Sequence, residues 1–214
     1  MTKLLRIQKP KFVEEFDEKI DVKNEFLYSD RVKNIIAQND TLVNKCEVGF
    51  EIDSCKFTNI DFKGCSFERL DLIDVIFENC DFSNVSLIGS SIHRTEFINC
   101  KFVGTRFDES HFKNVLFEKS LGKYANFSYT KMENINIVET DISEAVFQEV
   151  KLNKVVFHEC NMCDSFFDRT FLGKVDFTTC NINGISARIE DLRGVTVNSF
   201  QALDLTRLMG LNIK

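Results

Sequence analysis

The chain has 214 residues, a formal net charge of −6, one proline, no tryptophan and 43% hydrophobic residues. That suffices for one domain with a substantial core, and the acidic balance disfavours direct nucleic-acid binding. No apolar run is long enough for a membrane helix, and the opening MTKLLRIQKPKF lacks the apolar stretch of a signal peptide, so a soluble, cytoplasmic protein without membrane contact is expected.

Residues 1–48 come first. They are charge-balanced as a whole and contain KFVEEFDEKIDVKNEF, which shows no repeat. Val22, Leu27, Val32 and Leu42 nevertheless keep the phase of the five-residue pattern that begins at residue 49, so degenerate coils are compatible with this stretch. A solenoid needs its open ends covered, and residues 1–48 are expected to cap the N-terminal one.

From residue 49 to 197 the chain keeps a period of five. Of the 30 positions from 52 to 197 whose numbers end in 2 or 7, 28 are large and apolar; only Gly122 and Ala187 depart. Fifteen of the 22 phenylalanines lie there, among them Phe57, Phe77, Phe97 and Phe117. A helix buries a face every 3.6 residues and a strand every second residue. A period of five therefore requires a short extended segment and a turn, repeated. The residue two before each centre is usually small or β-branched, as at Cys80, Val85, Thr95 and Cys100. Positions two apart in extended chain point the same way, so each unit sends one large and one small side chain inward. The residue two after the centre is often Gly or Asn, as at Gly64, Asn79, Asn84 and Gly104, the residues most tolerant of turn geometry. A chain turning this often stacks on itself, with its backbone groups paired between coils. Equivalent residues recur at 20, so about seven coils at ~4.8 Å make a rod of ~35 Å. The one doubtful place is Ser120–Tyr124, where Leu121 and Gly122 break the apolar rule and either a short loop or a close packing point fits.

At the C-terminus, Asn198 or Ser199 can cap a helix from about Phe200 to Met209, with Gly210 as its stop. Phe200, Leu203, Leu205, Leu208 and Leu211 supply an apolar stripe, and LNIK reads as a short strand. The stripe either plugs the last coil or also joins two copies.

No constellation of nucleophile, base and orienting residue is present, and a convex rod is a poor enzyme scaffold, so no catalysis, no cofactor and no small-molecule substrate are expected. Cys160 and Cys163 form a C-x-x-C without a second pair, a weak zinc signal. Cys160 should point inward and Cys163 outward, with no metal and no disulfide. Sorting surface residues by side leaves the face around Phe57, Phe77 and Phe97 the most acidic. It carries Glu78, Glu96, Glu118, Glu139, Glu159 and Asp176 against Lys56 and Lys119.

The units CDFSN (80–84), CKFVG (100–104) and CNING (180–184) resemble the pentapeptide-repeat family, whose unit is roughly A(D/N)LXX. That resemblance implies an all-β solenoid: a right-handed quadrilateral β-helix over 49–197, a cap over 1–48, and a helix plus strand over 198–214. The ending RLMGLNIK (207–214) is similar to that of the Qnr and MfpA branch. The branch resemblance implies a homodimer joined through the C-terminal end. It also implies a DNA mimic that binds DNA gyrase or topoisomerase IV and protects it from quinolones, the acidic residues facing the enzyme. One carboxylate per ~4.8 Å coil is sparse beside one charge per ~1.7 Å of duplex, so shape must contribute. Many members of the branch carry loops that touch the enzyme, and a chain without them could instead inhibit it; separate alternatives are an immunity factor and a generic interaction scaffold.

Overall fold

Every fifth residue from 34 to 169 has a positive φ, and 24 of these residues are not glycine. Those 24 have φ between 47° and 62°, the left-handed region. One left-handed residue per unit swings the chain around a corner, and four corners return it to its starting side 20 residues later. The computed structural model, which describes residues 3–12, 15–16, 26, 29 and 31–211, is thus a four-sided parallel β-solenoid. Lys131 pairs with Lys151, as Ser91 pairs with His111.

The first coil holds β1 (Arg31–Lys33), β2 (Ile36–Thr41) and β3 (Cys46–Val48). These pair in parallel with β4 (Glu51–Asp53), β5 (Lys56–Asp61) and β6 (Ser66–Glu68). Among the described residues the ladder therefore starts at Arg31, 18 residues before Gly49, with Val32 and Leu42 buried in its core. Val22 and Leu27 lie outside the described residues. One side then becomes a continuous sheet of eight-residue strands: β7 (Asp71–Glu78), β8 (Ser91–Ile98), β9 (His111–Glu118), β10 (Lys131–Val138) and β11 (Lys151–His158). The other sides are held by single bridges between turns, such as Asp81 with Lys101 and Ser86 with Arg106.

The period-five apolar residues form stacked ladders inside. Phe57, Phe77, Phe97 and Phe117 stack with ring centroids 5.1, 5.3 and 5.0 Å apart. Phe107, Phe127, Phe147 and Phe167 form a second column at 5.1, 5.0 and 4.9 Å. The spacing comes from the coil repeat, which sets equivalent rings about 4.8 Å apart along the axis.

The small inward slot has a second use besides volume. The Thr105 hydroxyl donates to the Phe82 carbonyl at 2.6 Å, Ser165 to Ile142 at 2.8 Å, and the Cys160 thiol to Ile137 at 3.2 Å. Each donor reaches a carbonyl 23 residues back, on the preceding coil, so this slot stitches coils as well as filling space. Burial pushes the Cys55 thiol up to about 12 and the Cys65 thiol up to about 11, which makes both weak nucleophiles. Cys160 is buried and Cys163 is half-buried.

At Gly122 the coil closes without a loop. Its N–H donates to the Asp141 carbonyl at 2.6 Å, and a Cβ there would stand 3.1 Å from the Ile142 methyl. Of the two readings left open at this site, close packing is the one found.

Glu139 sits at φ 47° with an exposed side chain. A residue other than Gly or Asn in this region costs about 1–2 kcal/mol. Glu139→Asn is therefore expected to raise stability by ~0.5–1 kcal/mol, measured as the urea midpoint at unchanged slope.

At the N-terminal end, Phe26 lies fully buried over the open core. It stacks on Phe50 at 5.3 Å and meets Phe57 and Phe67 at 6.1 and 6.0 Å. At the other end β11 is the last strand among the described residues, and a 3₁₀ turn (Ile189–Leu192) leads to helix α1 (Ser199–Leu205). The helix begins with a capping box: the Gln201 N–H donates to the Asn198 side chain at 3.0 Å, and the Asn198 N–H to the Gln201 side chain at 2.8 Å. It is shorter than its apolar pattern suggests, because Thr206–Met209 tighten into a 3₁₀ turn before Gly210 at φ 71°. The strand expected over LNIK falls, apart from Leu211, outside the described residues.

Candidate interaction surfaces

Strand register decides which of the acidic residues are neighbours. Glu78 and Glu118 share one column, but Ile98 stands between them, so they are two coils apart. Glu139 and Glu159 lie on adjacent coils of the next column, and His158 Nε2 is 3.6 Å from Glu159. Glu78, Glu139 and Glu159 are exposed, while Glu118 and Asp176 are half-buried. Glu96 is the exception: only 8% of it is exposed. It faces outward, yet residues 3–12 of the same chain cover it.

Those residues form an extended strap laid lengthwise over the main sheet. The Leu5 N–H donates to Asn136 Oδ1, and Asn136 Nδ2 donates to the Leu5 carbonyl, both at 3.0 Å. The Gln8 N–H reaches Asn114 Oδ1 at 3.3 Å, and the Lys11 N–H reaches Asp74 Oδ1 at 2.9 Å. The strap thus runs from β10 back to β7, against the direction in which the coils accumulate. Leu5 and Ile7 turn half-buried towards the sheet while Leu4 and Arg6 are exposed, the alternation of extended chain. At its far end the Lys56 ammonium stands over the rings of Phe12 and Phe16, 4.7 and 4.8 Å from their centroids. Beyond Leu5 the surface dips into a cavity of about 440 Å³ lined by Leu152, Val156 and Phe171. Sequence reasoning missed the strap. Its one signal was composition: residues 3–12 hold four basic residues and no acid in an acidic chain.

Asp74 anchors both the strap and Arg94, whose Nη2 is 2.6 Å away. Burial alone would raise the Asp74 carboxyl, but the Arg94 guanidinium and the Lys11 N–H outweigh it and hold it below its usual 3.8. A carboxylate depressed in this way stabilises the fold fully above its unfolded value, and the contribution is lost as pH falls through the lower folded value. The Lys11 amide chemical shift is therefore expected to stay constant from neutral pH down to about 4 and to move only below it.

The C-terminal end is two-sided. On the inner side, the Gln201 amide donates to the Phe177 and Cys180 carbonyls at 2.7 and 2.8 Å, and Arg207 donates to the Ile185 carbonyl. Leu205 packs against the core and Leu208 is half-buried. On the outer side, Phe200 is 83% exposed and Leu203 is 55% exposed, with Met209 and Leu211 exposed beside them. Polar bonds fasten the element to the last coil, and apolar side chains face away from it.

The profile of the pentapeptide repeat region matches residues 50–127, and that of the pentapeptide repeats (8 copies) matches residues 140–178, together more than half of the chain. The chain belongs to the pentapeptide-repeat family. Among solved structures, this pentapeptide-repeat protein is similar to full-length QnrB1, a plasmid-mediated fluoroquinolone resistance protein. The identity is 14%, over 82% of this chain and 100% of that one, with a TM-score of 0.47. A trypsin-treated QnrB1 variant matches at 23% identity, over 92% and 96% of the two chains, with a TM-score of 0.45. HetL, a pentapeptide repeat protein involved in heterocyst differentiation regulation from the cyanobacterium Nostoc sp. strain PCC 7120, matches at 12% identity. That alignment covers 78% of this chain and 86% of HetL, with a TM-score of 0.37. No curated protein matches significantly. Among the described residues, no group of three His, Cys, Asp or Glu side chains is placed to hold a metal, and no helix is long and apolar enough to cross a membrane.

Proposed function

We propose that this pentapeptide-repeat protein acts in the cytoplasm as a homodimeric DNA mimic. It binds a type II topoisomerase, DNA gyrase or topoisomerase IV, and protects it from quinolones without catalysing a reaction. The observation that carries the reading is the two-sided C-terminal end. An element anchored by Gln201 and Arg207 that turns Phe200, Leu203, Met209 and Leu211 outward is built to be covered. A second copy related by a two-fold axis covers it symmetrically and doubles the length of the rod. The resemblance of RLMGLNIK to the ending of the Qnr and MfpA branch supports this, as does the acidic line through Glu78, Glu118, Glu139 and Glu159.

Because acids occupy only alternate coils at Glu78 and Glu118, the dimer's dimensions must supply much of the mimicry. With Ser120–Tyr124 held in the ladder, contacts to the enzyme come from the faces and ends of the rod. The test is a supercoiling assay with purified DNA gyrase, titrating the protein with and without ciprofloxacin. Restored supercoiling in the presence of drug supports protection. Inhibition without drug keeps the mimic but makes it an inhibitor or immunity factor. No effect on gyrase or topoisomerase IV overturns the reading in favour of a generic scaffold.

A further inference from the structure

We propose that the outer face of β7–β10 is a receptor for an extended, basic and apolar segment of a protein partner, which residues 3–12 occupy as an intramolecular stand-in. That role is independent of which enzyme, if any, the rod mimics DNA for.

The strap is held mainly through its backbone. Asn136 clasps the N–H and carbonyl of Leu5 together, and Asn114 and Asp74 accept the N–H groups of Gln8 and Lys11. Side chains that bind main chain at intervals along a face accept many sequences in extended form. What selects among them here is charge. Lys3, Arg6, Lys9 and Lys11 are the strap's only charged residues, on a chain with 33 acidic and 27 basic residues.

Glu96 indicates that the strap is an imperfect occupant. Only 8% of the residue is exposed, and its buried Oε1 makes no hydrogen bond among the described residues. Among the described residues, the cation paired with it, Lys9 Nζ, lies 3.9 Å away on a side chain that is 80% exposed. A buried carboxylate gains most from a close, charge-assisted donor, which a partner's lysine or arginine at that position would provide. The strap also lacks a strand ladder of its own; its main chain meets the sheet through side chains. Such a segment opens at lower cost than the coils beneath it. Tethering compensates, since a short tether supplies an effective concentration of about 1 mM. A strap whose intrinsic affinity is ~0.1 mM would then weaken a competing segment by about 10-fold.

The test uses the full chain and a fluorescent peptide of sequence KLLRIQKPKF, read by anisotropy. Leu5→Asp with Lys9→Glu should release the chain's own strap, seen as fast hydrogen exchange in residues 3–12. The released chain should bind the peptide at least 10-fold more tightly than the unsubstituted protein does. Adding Asn136→Ala should abolish that binding. Glu96→Gln should weaken it and flatten the loss seen when the peptide's basic residues are replaced. Three outcomes overturn the proposal: a strap that stays protected after substitution, a released chain that ignores the peptide, and equal binding by both forms. A dimer that dissociates only when the strap is substituted would overturn it too, because the occupant would then be a second copy.

Discussion

Phe200→Glu combined with Leu203→Glu is expected to convert the protein to a folded monomer whose melting temperature no longer depends on protein concentration, and to abolish any rescue of drug-inhibited gyrase. Both side chains are exposed on the single chain, 83% and 55%, so their loss leaves the monomer's core intact. Across a two-fold axis each contributes twice. Burying a large apolar side chain is worth ~1.5–3 kcal/mol, so four such side chains account for an upper bound of roughly 6–12 kcal/mol. Losing half of the lower figure already weakens association by more than 100-fold, and four carboxylates facing one another add repulsion. Sedimentation equilibrium checks the mass, and the supercoiling assay checks the activity. A monomer that still protects gyrase fully would sink the long-rod reading. Leu205, which packs against the core, and Leu208, which is half-buried, are unsuitable for this test because changing them disturbs the fold itself.

Phe97→Ala is expected to cost about 3–5 kcal/mol in folding free energy. The ring is fully buried and stacked between Phe77 at 5.3 Å and Phe117 at 5.0 Å. The coils above and below are pinned by backbone ladders, so the cavity cannot collapse along the axis. For a chain of this size that amounts to a fall of roughly 6–20 °C in melting temperature. Urea or thermal unfolding followed by circular dichroism measures it. A loss below about 1 kcal/mol would show that the ladder repacks around the gap. Because each coil touches only its neighbours, the damage should also be local, with hydrogen exchange accelerated most in β7, β8 and β9.

The core was legible because stacking makes it a repeating function of sequence. Once one large residue in five points inward, every equivalent position is constrained alike, and Phe57 predicts Phe77. The corner slot was legible for its Gly and Asn residues, but the ladder enforces the same left-handed geometry on Arg94, Glu139, Lys154 and Arg169. Coil-to-coil hydrogen bonding outweighs their local preference, so residue type was only a partial guide. The start of the solenoid was harder to place. Val32 and Leu42 keep the phase with too few large neighbours to stand out, and pairing with β4 and β5 decides that this stretch is a coil.

The sequence by itself determined the period, the inward and outward residues, the 20-residue register and the family, because all arise from local geometry repeated many times. The tertiary structure decided which outward residues are available. Glu96 reads as one more surface acid, yet a strap formed by residues 3–12, far earlier in the chain, lies over it, through contacts such as Lys9 with Glu96 and Leu5 with Asn136. The same holds for α1, whose stripe gives no sign of which apolar residues face the core until Gln201 and Arg207 fasten one side. Such contacts occur once each and join distant parts of the chain, so no periodicity reports them.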